Sequence, residues 1–227
     1  KLLGANFEIL KYEELIDKTA EHLSNESAVG WFQGRMEFGP RALGGRSILA
    51  DPRSDKMQKN LNLKVKFRES FRPFAPSILR QDLSEWFDMN VESPYMLFVA
   101  NINSNKNIQM TNDQKKLFGI DKLNIKRSKI PAVTHVDYSA RIQTVHKDTN
   151  PIYHSLISQF NELTGCPIVV NTSFNIRGEP IVCTPADAFR CFMGTELDVL
   201  AIGDYLLYKT EQDSGLRDNY EEKYELD

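Results

Sequence analysis

Cysteine is scarce in this sequence: Cys166, Cys183 and Cys191 are the only three in 227 residues, they form no CxxC pair, and their odd number leaves a thiol over. A disulfide framework and a thiolate metal site are therefore not expected, and each thiol reads as core packing. Histidine is equally sparse. His22, His135, His146 and His154 show no ligand spacing, so no metal site is expected and each reads as structural. No apolar run approaches the roughly 18 residues of a membrane-spanning helix, and the N-terminus lacks the charged, apolar and small-residue regions of a signal peptide. The expected location is the cytoplasm. No internal repeat is evident, and no nucleophilic side chain stands beside a base. The chain begins with Lys1 rather than Met, which suggests a piece of a longer protein.

What is present is ordinary in bulk and uneven in distribution. A 41% hydrophobic share, a 26% charged share and a mean hydropathy of −0.42 fit one globular domain with a substantial core, with or without an appendage. The formal net charge is −3, yet from Arg35 to Arg80 eleven basic residues face four acids, a local balance of +7. After Thr210 seven acids face two bases, and 210–227 reads as an acidic tail. Arginine offers a planar fork suited to phosphate or carboxylate, and Gly34, Gly39, Gly44 and Gly45 let backbone N–H groups approach bound oxygens. The basic stretch reads as a phosphate cradle. A plain solvated face would carry the same charge, but it has little use for Phe38, Phe67, Phe71 and Phe74, or for Pro40, Pro73 and Pro76, among the cations.

Periodicity predicts interleaved helices and strands. Tyr12–Leu23 carries Ile16, Ala20 and Leu23 on one helical face, and 27–32 reads as a buried strand. Ser54 is expected to cap a helix through about Leu63, Lys64–Arg72 to form a loop or edge strand, and Phe74–Leu79 a strand. A short helix is expected over Asp82–Phe87 and an interior strand over Met96–Ile102. The polar stretch 103–130 reads as a long surface insertion. Pro131–Val136 and Arg141–Val145 are predicted to pair around Ser139. Asn150 and Pro151 open a helix with Ile152, Leu156, Phe160 and Leu163 on its buried face, closed by Gly165. A strand over 166–170 delivers the polar loop Asn171–Pro180, whose Ser173, Asn175 and Gly178 suit phosphate, ribose or a small carbonyl compound. Thr184 to Asp187 approximates a capping box, Gly194 closes that helix, and two final strands flank Gly203–Asp204. The expected fold class is α/β or α+β, an open mixed sheet flanked by helices.

Four stretches taken together resemble a known family. They are GRMEFGPRALGGRSILADPR (34–53), FRESFRPFAP (67–76), SARIQTV (139–145) and VNTSFNIRGEPIV (170–182). They resemble the C-terminal domain of O-carbamoyltransferases, the family of nodulation protein U and of enzymes that carbamoylate antibiotics. The likeness runs from about Trp31 to Lys209. Thr172–Pro180 with Lys66 and Arg68 also resembles the Ser-x-Asn and Lys-x-Arg signatures of threonylcarbamoyl-adenylate synthases, so a YrdC-like open twisted mixed sheet is implied for 27–209. Residues 1–26 would then be a linker and helix from a missing N-terminal, actin-like domain that carries the family's metal site.

The resemblance implies that this part forms carbamoyl adenylate from carbamoyl phosphate and ATP, for transfer to an acceptor hydroxyl by the other domain. By motif position it assigns Lys66 and Arg68 to the triphosphate. Arg35, Arg41 and Arg46 go to carbamoyl phosphate or the β,γ-phosphates, Ser173 and Asn175 to the α-phosphate and carbamoyl group, Arg141 to the adenylate and Arg72 to support, with Gly178 as the turn glycine. Mg²⁺ would accompany ATP, with Glu37 or Glu179 as outer ligands or, equally, as salt-bridge partners of the arginines. Two other readings stay open: a free-standing threonylcarbamoyl-adenylate synthase, which the GRMEFGPRALG run disfavours, and a non-catalytic nucleotide- or RNA-binding module, which would need exposed aromatics for stacking.

Overall fold

The computed structural model describes residues 4–123 and 125–217. In chain order the strands and helices are β1 (Glu8–Ile9), α1 (Tyr12–Ser24), β2 (Val29–Phe32), β3 (Arg46–Ala50), α2 (Met57–Lys64), β4 (Ala75–Leu79), α3 (Leu83–Trp86), β5 (Phe98–Asn101), α4 (Asn112–Lys116), α5 (Gly119–Leu123), β6 (Ser139–Val145), α6 (Pro151–Thr164), β7 (Ile168–Ser173), α7 (Pro185–Gly194), β8 (Val199–Ile202) and β9 (Tyr205–Tyr208). Nine strands form one open sheet in the order β1-β9-β8-β2-β3-β7-β4-β6-β5. The β2–β8 and β4–β6 pairs are parallel and the others antiparallel, so the sheet is mixed, as expected.

Every residue of β2, β3 and β4 is buried, which their near-continuous apolar runs require. Helix α1 buries Leu15, Ile16, Ala20 and Leu23 and packs along α6. Helix α6 starts and stops as its sequence dictates: the Asn150 side chain accepts from the Tyr153 N–H, Pro151 opens the first turn, and Gly165 closes it with a left-handed φ of 69°. Helix α7 carries the predicted reciprocal cap between Thr184 and Asp187. No helix among the described residues is long and apolar enough to cross a membrane.

Several expectations are corrected. Helix α2 begins at Met57 rather than beside Ser54, whose hydroxyl instead accepts from the Lys56 N–H two residues on. Residues Pro131–Val133 form a 3₁₀ turn rather than a strand, and β6 pairs with β4 and β5. Strand β5 is not interior but lies at the sheet edge with Phe98 and Val99 exposed. On α6 the buried face is Tyr153, Leu156, Ile157 and Phe160, and Leu163 is exposed. The stretch 103–130 holds two short helices and returns to the body of the fold at Arg127 and Ser128, both buried. Of the acidic segment, the part through Arg217 turns back on the domain, where Gln212 exchanges hydrogen bonds with the backbone of Asn6. Residues 218–227 lie outside the described residues.

Tyr153 explains the rotation of the α6 face. It is fully buried against Gly44, where an added Cβ would lie 2.3 Å from the tyrosine ring. Gly44 also has φ 106°, whereas Gly39, φ 121°, has open space around the same position. Gly39→Ala is therefore expected to cost about 1–2 kcal/mol from backbone strain alone. Gly44→Ala adds overpacking and should cost about 2–5 kcal/mol in all. Urea unfolding of both variants checks the order, and equal losses would contradict it.

Candidate active site

The site begins where α2 ends. Phe67 takes a left-handed φ of 48°, rare for a bulky residue. In an extended chain Lys66 and Arg68, two apart, would point the same way. The left-handed residue between them sends Lys66 into the interior, where it is 3% exposed, and leaves Arg68 half-buried at a cavity. The Lys66 ammonium sits beneath the polar loop after β7. It donates to the carbonyls of Ser173 (2.5 Å) and Asn175 (2.8 Å) and reaches Ser173 Oγ (3.3 Å) and Asn175 Oδ1 (2.8 Å). The Ser173 hydroxyl donates to Asn175 Oδ1 (2.7 Å), and the Asn175 amide donates to the Glu179 carbonyl (2.6 Å). Gly178, φ 77°, provides the reversal.

The cavity has a volume of about 170 Å³ and is bordered by Arg41, Arg68, Arg141, Asn171, Thr172 and Ser173, with Phe74 and Met96 among its walls. Arg68 is aimed by Asn62, whose Oδ1 accepts from Nε at 2.6 Å, and its guanidinium lies 4.9 Å from the centre of the Phe74 ring. Burial and then the Arg72 cation push it down to about 10. Arg141 is lowered by burial and then by the neighbouring Arg41 cation. The arginine–carboxylate pairs formed elsewhere include Arg53–Asp51, Arg80–Glu92, Arg190–Asp187 and Arg217–Glu196. Arg41, Arg68 and Arg141 take part in no ion pair among the described residues. Three guanidiniums at one small polar cavity, none in an ion pair among the described residues, make a receptor for a compact anion.

The remaining sequence-predicted residues are not among those that border this cavity. Arg46 is buried under the Gly/Arg loop, donating to the carbonyls of Gln33, Gly45 and Gly34 and lying 3.5 Å from the Phe32 ring centre. Glu37 forms no ion pair with the arginines among the described residues. Its carboxylate accepts the backbone N–H groups of Leu43 and Gly45 at 2.8 Å and of Arg46 at 3.2 Å, which folds residues 37–46 into a closed turn. Burial raises its pKa against those bonds. Glu179 is likewise engaged by the Ile176 N–H. Arg35 and Arg72 are exposed and do not line the cavity, although Arg72 lies close enough to Arg68 to act on its charge. Of the aromatics, Phe38 and Phe71 are exposed, while Phe74 is buried and Phe67 packs on the core.

Residues 20–209 match the family model described as Carbamoyltransferase C-terminus. The chain belongs to this family. It is 57% identical over 216 residues to the protein sll1178 of Synechocystis sp., covering 95% of this chain and 35% of that one. It is 43% identical over 209 residues to the nodulation protein NolNO of Sinorhizobium fredii, covering 91% and 28%. To the 3'-hydroxymethylcephem-O-carbamoyltransferase of Streptomyces clavuligerus it is 36% identical over 176 residues, covering 78% and 29%. The chain thus spans about a third of the length of these relatives. Among solved structures, full-length HypF in a phosphate- and nucleotide-bound form superposes with a TM-score of 0.50 at 16% identity, covering 89% of this chain and 22% of that one, a likeness of fold.

Sequence reasoning missed Asn62, Gln143 and Asn171 in this carbamoyltransferase C-terminal domain. Asn171 adjoins the Thr-Ser-Phe-Asn run and so lay within sight. Asn62 and Gln143, on a helix and a strand, carry no local mark of their contacts.

Lys66 gives a pH test. Burial first, and the Arg68 cation second, push its ammonium down to about 7, against about 10.4 in an unfolded chain. Between those values the unfolded chain binds the extra proton, so the stability tied to this group rises with pH. Measured by urea unfolding at pH 6 and pH 9, the wild type should gain stability relative to Lys66→Met at the higher pH. A difference independent of pH would contradict the assignment.

Proposed function

We propose that this chain is the carbamoyl-activating part of an O-carbamoyltransferase, forming carbamoyl adenylate from carbamoyl phosphate and ATP. The observation that carries the reading is the cluster of Arg41, Arg68 and Arg141, unpaired with any carboxylate among the described residues, around a polar cavity. The family match and the names of relatives such as the cephem O-carbamoyltransferase support the chemistry.

At about 170 Å³ the cavity has the volume of about six waters. That suits carbamoyl phosphate and is below the range of sites for larger ligands. Water cleaves carbamoyl phosphate to carbamate and phosphate; a carbamate oxygen then forms a bond to the α-phosphorus of ATP as pyrophosphate leaves. Both reactants are anions, so the protein's work is to hold them against mutual repulsion in a fixed geometry. Arg41, Arg68 and Arg141 receive the small anion. The exposed Arg72, whose charge acts on Arg68, and the exposed Arg35 are left for the triphosphate of ATP, which brings Mg²⁺ with it. Lys66 and Arg46 position the walls: the first holds Ser173 and Asn175, the second holds the Gly/Arg loop. Transfer to the acceptor hydroxyl then belongs to an N-terminal, actin-like domain of the full-length protein.

With ATP, Mg²⁺ and carbamoyl phosphate, the chain should release pyrophosphate. Arg68→Ala should lower the rate by about 10²–10³, the loss that follows removal of one donor to developing charge. Release driven by threonine and bicarbonate, without carbamoyl phosphate, would overturn the reading in favour of a threonylcarbamoyl-adenylate synthase.

A further inference from the structure

Two residues that border the cavity each carry a buried polar atom with no partner: the Nε–H of Arg141, a donor, and Oδ1 of Asn171, an acceptor. Asn171 is 1% exposed. An orphan acceptor so placed costs about 1–3 kcal/mol, and a ring of three guanidiniums should have recruited it as a partner had geometry allowed.

The hydrogen-bond network fixes which end of the Asn171 amide is the acceptor. The Leu43 carbonyl can only accept, so Gln143 must present its Nε2 there, at 2.8 Å. That turns Gln143 Oε1 the other way, where it accepts from the Ser77 hydroxyl at 2.6 Å and from Asn171 Nδ2 at 2.8 Å. The second Asn171 N–H donates to the Ala42 carbonyl at 3.0 Å. Reversing the Asn171 amide would set its oxygen against two acceptors. Both of its N–H groups are therefore occupied, and its oxygen is locked in place with nothing to receive.

We propose that Asn171 is the specificity residue of the cavity, its Oδ1 accepting a hydrogen bond from the amide N–H of the carbamoyl group. An acceptor on Asn171 and a donor on Arg141, both unmet at one cavity, match the N–H and C=O that an amide offers. Phosphate and acyl phosphates can satisfy the guanidiniums but bring no N–H, so they leave Asn171 buried and unmet. A site built around a ligand N–H rejects the analogue that lacks it because its own polar group stays unpaired. This inference rests on the carbamoyl phosphate reading given above.

The test compares phosphonoacetamide with acetonylphosphonate, which differ by an NH₂ in place of a CH₃, by calorimetric titration of the chain. The wild type should bind the amide at least about 10-fold more tightly, the equivalent of about 1.4 kcal/mol. Asn171→Leu, similar in shape but without the acceptor, should bind both compounds equally, near the wild-type affinity for acetonylphosphonate. Equal affinities in the wild type overturn the inference whatever the variant does, and leave the anion-site reading standing. A full preference for the amide in folded Asn171→Leu also overturns it. Failure of both compounds to bind overturns the inference and the reading beneath it.

Discussion

The gathering of Arg41, Arg68 and Arg141 at one polar cavity is the constraint around which this domain is arranged. The Arg72 cation acts on Arg68 and the Arg41 cation on Arg141, in each case against a guanidinium whose charge burial already disfavours. No carboxylate among the described residues forms an ion pair with any of the three. The arrangement persists because polar contacts hold the segments that carry and surround these cations.

Those contacts come from four directions. The Asn62 side chain receives Arg68 at one edge and also donates to the carbonyls of Ser70 and Arg72, so the loop after α2 is pinned to the helix it leaves. Beneath the β7 loop, the Lys66 ammonium gathers oxygens of Ser173 and Asn175 that would otherwise face one another. Glu37 closes the Gly/Arg loop from within, and the Ser77–Gln143–Asn171 chain links β4, β6 and β7. A rigid frame of this kind presents its charges before the ligand arrives, which is the property electrostatic catalysis requires.

Much of the frame was legible in the sequence because its signals are local. The caps of α6 and α7, the amphipathic α1, the β8–β9 pair across Gly203 and the polar loop after β7 all follow from neighbouring residues. The charge concentration between Arg35 and Arg80 marked the site, but not the direction of each side chain. Arg46 and Arg41 share one motif, yet Arg46 opens β3 opposite Phe32 and turns inward, while Arg41 sits on the exposed turn bordering the cavity. Lys66 and Arg68 part company because Phe67 is left-handed, a conformation that its sequence does not advertise. Strand β5 looked interior from its apolar content, and only the sheet order reveals that it has no neighbour on one side. The α6 face shifted to admit Tyr153 beneath Gly44, a contact spanning more than a hundred residues.

Phosphate binding decides whether those three guanidiniums act as one receptor. Calorimetric titration of the chain with inorganic phosphate, in the wild type and in Arg41→Gln, Arg68→Gln and Arg141→Gln, measures this most directly. One phosphate per chain, weakened at least about 10-fold by each substitution, is the predicted result. Phosphate affinity that none of the three substitutions changes would contradict it.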